Sequence, residues 1–199
     1  MNGKSTEEMA ATVNGAGVAP AANAPGLEFG ELRQIAYVVP DIERAMAHWS
    51  GVLGVGPWFY IEKITVAEFT YFGKPSADLE LSIALTNSGA LQIELIQQRN
   101  TAPSLYLDFL QRNGEGAQHT AFWTYQYDAA VARMLSAGYV EGHAGRPGPG
   151  GRFAYFIHAD LPGNVVEISE QSGGKAELFR QVEQAARGWD GQHPIRKIG

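Results

Sequence analysis

Cysteine is absent from this chain of 199 residues. That excludes disulfides and thiol chemistry, and leaves only nitrogen and oxygen donors for any metal. Positive charge is scarce as well: 15 Lys and Arg stand against 21 Asp and Glu, a formal net charge of −6 with a pI near 5.4. With no basic run or Lys/Arg stripe, nucleic acid is not an expected partner. No apolar run approaches the roughly 18 residues of a membrane span, and the N-terminus lacks the basic-then-apolar order of a signal peptide. The expectation is a cytoplasmic protein that engages neither membrane nor nucleic acid. What is present suits a packed core: 45% of residues are hydrophobic and 18% charged, ordinary values for a globular chain. The length fits one generous domain or two small modules sharing a core.

Residues 1–30, with Gly3, Gly15, Gly17, Pro20 and Pro25 among many alanines, lack periodicity and read as a flexible arm. Beyond them the pattern sharpens. Gln34 to Val39 reads as a strand, and Asp41 as the N-cap of a helix whose Ile42, Ala45, Met46, Trp49 and Leu53 share a face. Strands are expected over Phe59 to Val66, Glu68 to Tyr71, Leu79 to Leu85 and Leu91 to Ile96. Ser104 to Arg112 reads as a linking helix stopped by Asn113-Gly114.

The order then repeats. His119 to Thr124 is a strand, and Asp128 is expected to cap a helix with Val131, Met134 and Leu135 inward and Gly138 as its left-handed stop. Val140 to Gly142 is a short strand, Gly145 to Gly151 a Gly/Pro loop with the makings of a lid, and Phe153 to Ile157 and Val165 to Ser169 close the half, the last after a turn at Leu161 to Asn164. A final helix over about Ala176 to Trp189 puts Leu178, Phe179, Val182, Ala186 and Trp189 on one side. Strand, helix, then several strands, twice over, indicates a duplicated module. The expected division is an arm at 1–30, two modules at 31–100 and 116–172 joined by the short helix, and a helix with tail at 173–199.

Aligning the two halves sets Gln34 opposite His119 in the opening strands and Glu94 opposite Glu167 in the closing ones. Each carboxylate interrupts an apolar run, and a buried carboxylate needs a hydrogen bond, a cation or a metal to offset its desolvation. A lone histidine is more often a core or surface residue than a ligand; equivalence under a repeat is what singles these four out. If the halves pack about a pseudo-twofold axis, Gln34, Glu94, His119 and Glu167 converge as one amide, two carboxylates and one imidazole. That set suits a divalent cation such as zinc, nickel, cobalt or manganese, with iron less favoured. His48, His143, His158 and His193 lack the symmetry and read as structural or solvent-facing.

At these residues the chain resembles the vicinal oxygen chelate superfamily, which includes glyoxalase I, methylmalonyl-CoA epimerase, extradiol dioxygenases and bleomycin-resistance proteins. The carrying stretches are Gln34-Ile-Ala-Tyr-Val-Val-Pro-Asp41-Ile-Glu-Arg-Ala45, Gly54-Val-Gly-Pro-Trp58 and Asp160-Leu-Pro-Gly-Asn164-Val-Val-Glu167. Ile93-Glu94 through Arg99, Pro103, Asp108 to Asn113 and Gln118-His119 is similar to the epimerase branch. The resemblance implies an α+β fold, two tandem βαβββ modules forming an open eight-stranded barrel-like sheet around a central cleft, with Gln34, Glu94, His119 and Glu167 as metal ligands and a homodimer as the assembly. Epimerases carry His where Gln34 and Gln118 stand, and the Gln, Glu, His, Glu set is similar to that of glyoxalase I.

The chemistry expected of such a site is proton abstraction next to a carbonyl or thioester through a metal-stabilised enediolate, with Glu167 as ligand and base and Glu94 second. Tyr37, Trp58, Phe59, Phe122, Trp123, Tyr155 and Phe156 are candidates for the cleft wall, and Arg99, Arg112 and Arg152 for a substrate anion. Two other classes stand beside this reading: a metal-free small-molecule binder of the bleomycin-resistance kind, and a ring-cleaving dioxygenase. Extradiol enzymes use two His and one Glu, which Gln34 does not match.

Overall fold

The computed structural model describes residues 29–147 and 151–198; the arm up to residue 28 and the centre of the Gly145 to Gly151 loop lie outside them. Alternation in Leu32–Val38 (β1) buries Gln34, Ala36 and Val38. Asp41 accepts a hydrogen bond from the Arg44 amide at 2.9 Å and opens helix Ile42–Gly51 (α1). The helix buries Ile42 and Met46, while Leu53, beyond its end, is exposed rather than inward. The two strands expected next are one, Trp58–Tyr71 (β2), in which Glu68 takes a positive φ of 53° at the position that looked like a break. A two-residue strand, Lys74–Pro75 (β3), then Leu79–Ser88 (β4) and Leu91–Gln98 (β5) complete the half. Ser104 caps Leu105–Asn113 (α2) through the Leu107 amide, and Gly114, with φ +76°, ends it.

The second half runs Gly116–Thr124 (β6), Tyr127–Ser136 (α3), Val140–Arg146 (β7), Phe153–His158 (β8) and Leu161–Glu170 (β9). Gln126, not Asp128, precedes α3; Asp128 sits in its first turn and is engaged by Arg152 at 2.8 Å. Met134 is buried, whereas Leu135 is half exposed because it lies a residue past the face that meets β9. Leu161 to Asn164, read as a turn, is the exposed start of β9. The last helix begins earlier than expected, at Gly173–Ala186 (α4), and a strand the sequence pattern did not signal, Ile195–Lys197 (β10), follows it.

Each half forms a four-stranded ladder, β2-β4-β5-β1 and β6-β9-β8-β7, in which the pair next to the junction of the halves, β1–β5 or β6–β9, is parallel. The halves join through the antiparallel pair β1–β6, and the outer strands meet through β2–β7, so the eight-stranded barrel-like sheet closes. β10 runs parallel to the start of β2, covering the stretch of that edge that β7 leaves free. In the central pair Gln34 faces Ala121 and Ala36 faces His119. This register is a local twofold that exchanges Gln34 with His119 and Ala36 with Ala121. Outside the sheet, α1 packs on Ile93, Leu95, Trp58 and Tyr60, and α3 on Ala154, Phe156, Val166 and Ile168. α4 packs Phe179 and Val182 against Leu85, Phe59 and Trp123, contacts worth roughly 1.5–3 kcal/mol for each large side chain fully buried.

Candidate metal centre and cavity

Register places the expected ligands. Glu94 lies beside Ala36 in β1, and His119 beside the same alanine from the other side. Gln34 and Glu167 flank Ala121 in the adjacent rung. Two small side chains, both fully buried, thus separate four large polar ones and leave room above the sheet. One ligand atom from each of Glu94, His119 and Glu167 lies within 4.8 Å of the others. The imidazole Nε2 stands 3.1 Å from Glu167 Oε2 and 3.8 Å from Glu94 Oε2. Gln34 is buried and lines the same cavity; its amide nitrogen donates to Gln92 Oε1 at 2.6 Å, which leaves its carbonyl oxygen as the free donor atom.

The donor set fits a divalent cation. Gln118 Oε1, an acceptor, lies 2.6 Å from His119 Nδ1, so that nitrogen carries a proton and Nε2 is the atom turned to the carboxylates, able to share a proton with Glu167 or to give its lone pair to a bound cation. Two carboxylates in one dry pocket need a positive charge among them. All three groups are acceptors of the harder, nitrogen-and-oxygen kind that zinc, nickel, cobalt and manganese take.

A cavity of about 280 Å³ opens over this cluster. Glu94, Glu167, Gln34, Tyr106 and Tyr155 form its polar end, and Ile61, Ile64, Val66, Leu81, Ile83 and Leu85 of β2 and β4 its apolar wall. Of the aromatic candidates only Tyr155 lines it. Trp58 and Phe156 point to the outer face of the sheet, under α1 and α3, and Tyr37 and Phe122 pack there too. Phe59 and Trp123 pack under α4 without lining the cavity. The arginines are elsewhere: Arg99 binds Ser82, Glu43 and Tyr60, Arg152 binds Glu170 and Asp128, and Arg112 is exposed beside Asp108. Of the proposed lid, Gly145 and Arg146 belong to β7 and Pro147 lines the cavity.

Two polar groups, Tyr106 and Lys175, escaped the sequence reading. Tyr106, from α2, donates to the Tyr155 hydroxyl at 2.8 Å, and Tyr155 Oη lies 3.2 Å from His119 Nε2. Lys175, from the first turn of α4, brings its ammonium to 4.0 Å from Glu167 Oε1. Tyr106 and Lys175 sit on helices outside the repeat, so no alignment of the halves points to them.

The two carboxylates are electrostatically unlike. Burial, reinforced by the neighbouring Glu167 charge and opposed by Lys175, pushes Glu94 up to about 8. Burial acts on Glu167 too, but the hydrogen bond with His119 and the charges of Lys175 and His119 outweigh it and hold the group below its ordinary value. Burial lowers Lys175, the carboxylates of Glu167, Glu94 and Glu170 acting against it. Tyr106 and Tyr155 are raised well above the phenol range, first by burial and then by those carboxylates, so both are neutral donors. His143, fully buried behind Tyr155, is driven well below its usual value by burial and stays neutral.

The model of the glyoxalase/bleomycin resistance protein/dioxygenase superfamily matches residues 33–156. No curated protein matches the chain. Among solved structures, methylmalonyl-CoA epimerase from Mycobacterium tuberculosis is 20% identical, with a TM-score of 0.51 over 73% of this chain and 91% of that one. A Streptomyces coelicolor methylmalonyl-CoA epimerase variant in complex with 2-nitronate-propionyl-CoA is 20% identical, at 0.50 over 71% and 97%. A hypothetical protein from Bacillus halodurans is 19% identical, at 0.50 over 72% and 95%. At such identities the likeness is one of fold. Because the family model spans most of the paired ladders, from β1 into β8, the chain belongs to the glyoxalase/bleomycin resistance protein/dioxygenase superfamily.

Proposed function

We propose that this protein is a metal-dependent isomerase, epimerase or lyase that moves a proton on the carbon beside a carbonyl or thioester. Gln34, Glu94, His119 and Glu167 are its proposed metal ligands, and a divalent cation held there supplies positive charge next to the substrate oxygen. The observation that carries the reading is the meeting of two buried carboxylates, one from each half, around a single imidazole at the end of a cavity. In the metal-free site their environments pull them apart, Glu94 upward to about 8 and Glu167 downward; both are drawn down by a bound cation, and the carboxylate that substrate displaces from it would be the one free to exchange a proton. Glu167, ionised, takes the proton from the substrate carbon. Glu94, from the opposite half, returns one to the substrate, and in an epimerase the two exchange roles. Tyr155, held by the Tyr106 hydroxyl, packs its ring against the His119 imidazole at 4.4 Å between centroids and so helps fix its orientation, while Leu178 and Phe179 of α4 help exclude water. A homodimer is the assembly this reading takes from the family resemblance, and the cytoplasm is the location expected from the sequence.

The test is solvent deuterium exchange into α-hydroxy ketones and acyl thioesters by protein loaded with zinc, nickel, cobalt or manganese. Exchange at the α-carbon that disappears in Glu167→Gln is expected; no exchange with any of these metals contradicts it. One observation favours a second reading, a metal-free small-molecule binder: Lys175 already places a positive charge beside Glu167. Tight binding of an amphiphile by protein that takes up no metal would carry that reading.

A further inference from the structure

Lys175 is built into the cavity wall. Its side chain is 14% exposed, and its stem lies against Gly151, where an added Cβ would come within 2.7 Å of Lys175 Cδ. Gly151 holds a φ of +75°, so both the close approach and the backbone favour glycine there. The Gly151 amide donates to the hydroxyl of Ser172, the residue just before α4, at 2.8 Å, and Lys175 Nζ lies 3.4 Å from the Gly151 carbonyl oxygen. The start of α4 is thus tied to the strand after the loop, and the ammonium is held at the polar end of the cavity.

Its hydrogen-bonding capacity there is mostly unused. An ammonium has three donors; among the described residues Lys175 has one long hydrogen bond, to Gly151, and one ion pair at 4.0 Å, to Glu167, besides lying 5.8 Å from the centre of the Phe179 ring, which takes up no donor. Charge gives the same direction. A divalent cation would match the charges of Glu94 and Glu167 when both are ionised, leaving the Lys175 charge without a counterpart. The opposite wall, Ile61, Ile64, Val66, Leu81, Ile83 and Leu85, is apolar, and a cavity of about 280 Å³ is at the small end of ligand pockets, which run to roughly 300–1,000 Å³.

We propose that Lys175 anchors the substrate, and that the substrate class is a small hydrophobic carbonyl compound carrying a carboxylate, whose anionic oxygen binds the Lys175 ammonium while its hydrocarbon body lies against β2 and β4. The inference rests on the isomerase, epimerase or lyase reading for the carbonyl, but not for the anion. Arg99, Arg112 and Arg152, the other cations weighed for that role, do not line the cavity. Lys175 acts by position and charge: it takes up the negative end and sets the carbon beside the carbonyl between Glu94 and Glu167.

The experiment is calorimetric titration of full-length, zinc-loaded protein with hexanoate and with hexanamide, its neutral counterpart, in wild type, Lys175→Met and Lys175→Arg. Hexanoate is expected to bind the wild type about ten-fold or more tightly than hexanamide, as for a hydrogen bond to a charged group. Lys175→Met, which keeps the stem, removes that preference, retains hexanamide binding and still takes up zinc; Lys175→Arg retains part of the preference. Equal binding of the two probes by the wild type, or an undiminished preference in Lys175→Met, overturns the inference while leaving the metal site standing. If the wild type takes up no zinc, the metal-dependent reading falls; the same titration still decides this one, a Lys175-dependent preference supporting it and its absence overturning it. Should Lys175→Met fail to fold, as read by circular dichroism, loss of the preference after acetylation of Lys175 in the wild type, which removes the charge and is mapped by mass spectrometry, replaces that arm, and an unchanged preference overturns the inference.

Discussion

Glu94 and Glu167 hold matching places in the two halves, each level with an alanine of its own opening strand, Ala36 or Ala121, yet their surroundings diverge. In the second half the partner from the opening strand is His119, 3.1 Å from Glu167, and Lys175 approaches from α4. In the first half that partner is Gln34, a neutral amide engaged by Gln92, and for Glu94 burial and a like charge outweigh the opposing charge of Lys175. Duplication therefore accounts for the geometry of the site, and substitution at one of the two equivalent positions accounts for its polarity. The remaining strands differ in the same spirit: β2 and β4 give the cavity its apolar wall, while β8 gives it Tyr155.

The most direct way to break this contrast is His119→Gln, which makes the second half copy the first. Glu167 then loses the imidazole 3.1 Å away while staying buried, and metal-free protein should lose about 3–5 kcal/mol of stability in urea unfolding. A cost under about 1 kcal/mol would mean that the carboxylate does not depend on the imidazole. Next in size is a matched pair. Glu167→Gln should cost about 1.5–3 kcal/mol, the usual worth of hydrogen bonds to a charged group, whereas Glu94→Gln should be within about 0.5 kcal/mol at pH 6, where Glu94 is already protonated. Equal effects would erase the asymmetry.

Titration sharpens the comparison further. The folded state holds Glu94 protonated up to about 8, against 4.5 in an ordinary environment, so between those values the native protein binds the extra proton. The stabilisation is complete below 4.5 and is lost as pH rises toward 8, at up to about 1.4 kcal/mol per pH unit. Glu167 runs the other way: its contribution is present above its ordinary value of 4.5 and is lost as pH falls through its lowered folded value. Thermal unfolding of metal-free protein across pH 3 to 9 should show both limbs, and Glu94→Gln should flatten only the alkaline one. The smallest effects belong to Arg99→Ala and Arg152→Ala, one in each half. Both are partly exposed ion-pair residues away from the cavity, expected to cost about 1 kcal/mol or less and to leave metal uptake unchanged; lost uptake in either would relocate the site.

The convergence of the candidate ligand residues was readable because duplication doubles a weak signal: a lone Glu in a strand means little, but Glu94 and Glu167 in register with Gln34 and His119 is a constellation. The same repeat indicated two like modules, and the α+β fold with its barrel-like sheet came from the family resemblance. The cavity wall was not readable, since strands such as β5 and β9 carry apolar residues on both faces, one toward the interior and one under α1 or α3. Alternation then says which residues share a face but not which face is which, and Trp58 and Phe156 were assigned to the wrong one. Lys175 was missed because a lysine after two glycines at a helix start looks solvated; only the packing of α4 onto β2 and β4 turns it inward. β10 is three exposed residues that pair only because the edge of β2 is there to receive them.

The central claim is that Glu94, His119 and Glu167, with Gln34, hold one divalent cation. Elemental analysis of metal per chain in untagged protein, beside Glu167→Ala and His119→Ala, tests it most directly. Near-stoichiometric metal in the wild type, lost in both variants, is the predicted result. A wild type that holds no metal after reconstitution with zinc, nickel, cobalt, manganese and iron in turn, or variants that retain it in full, would contradict it.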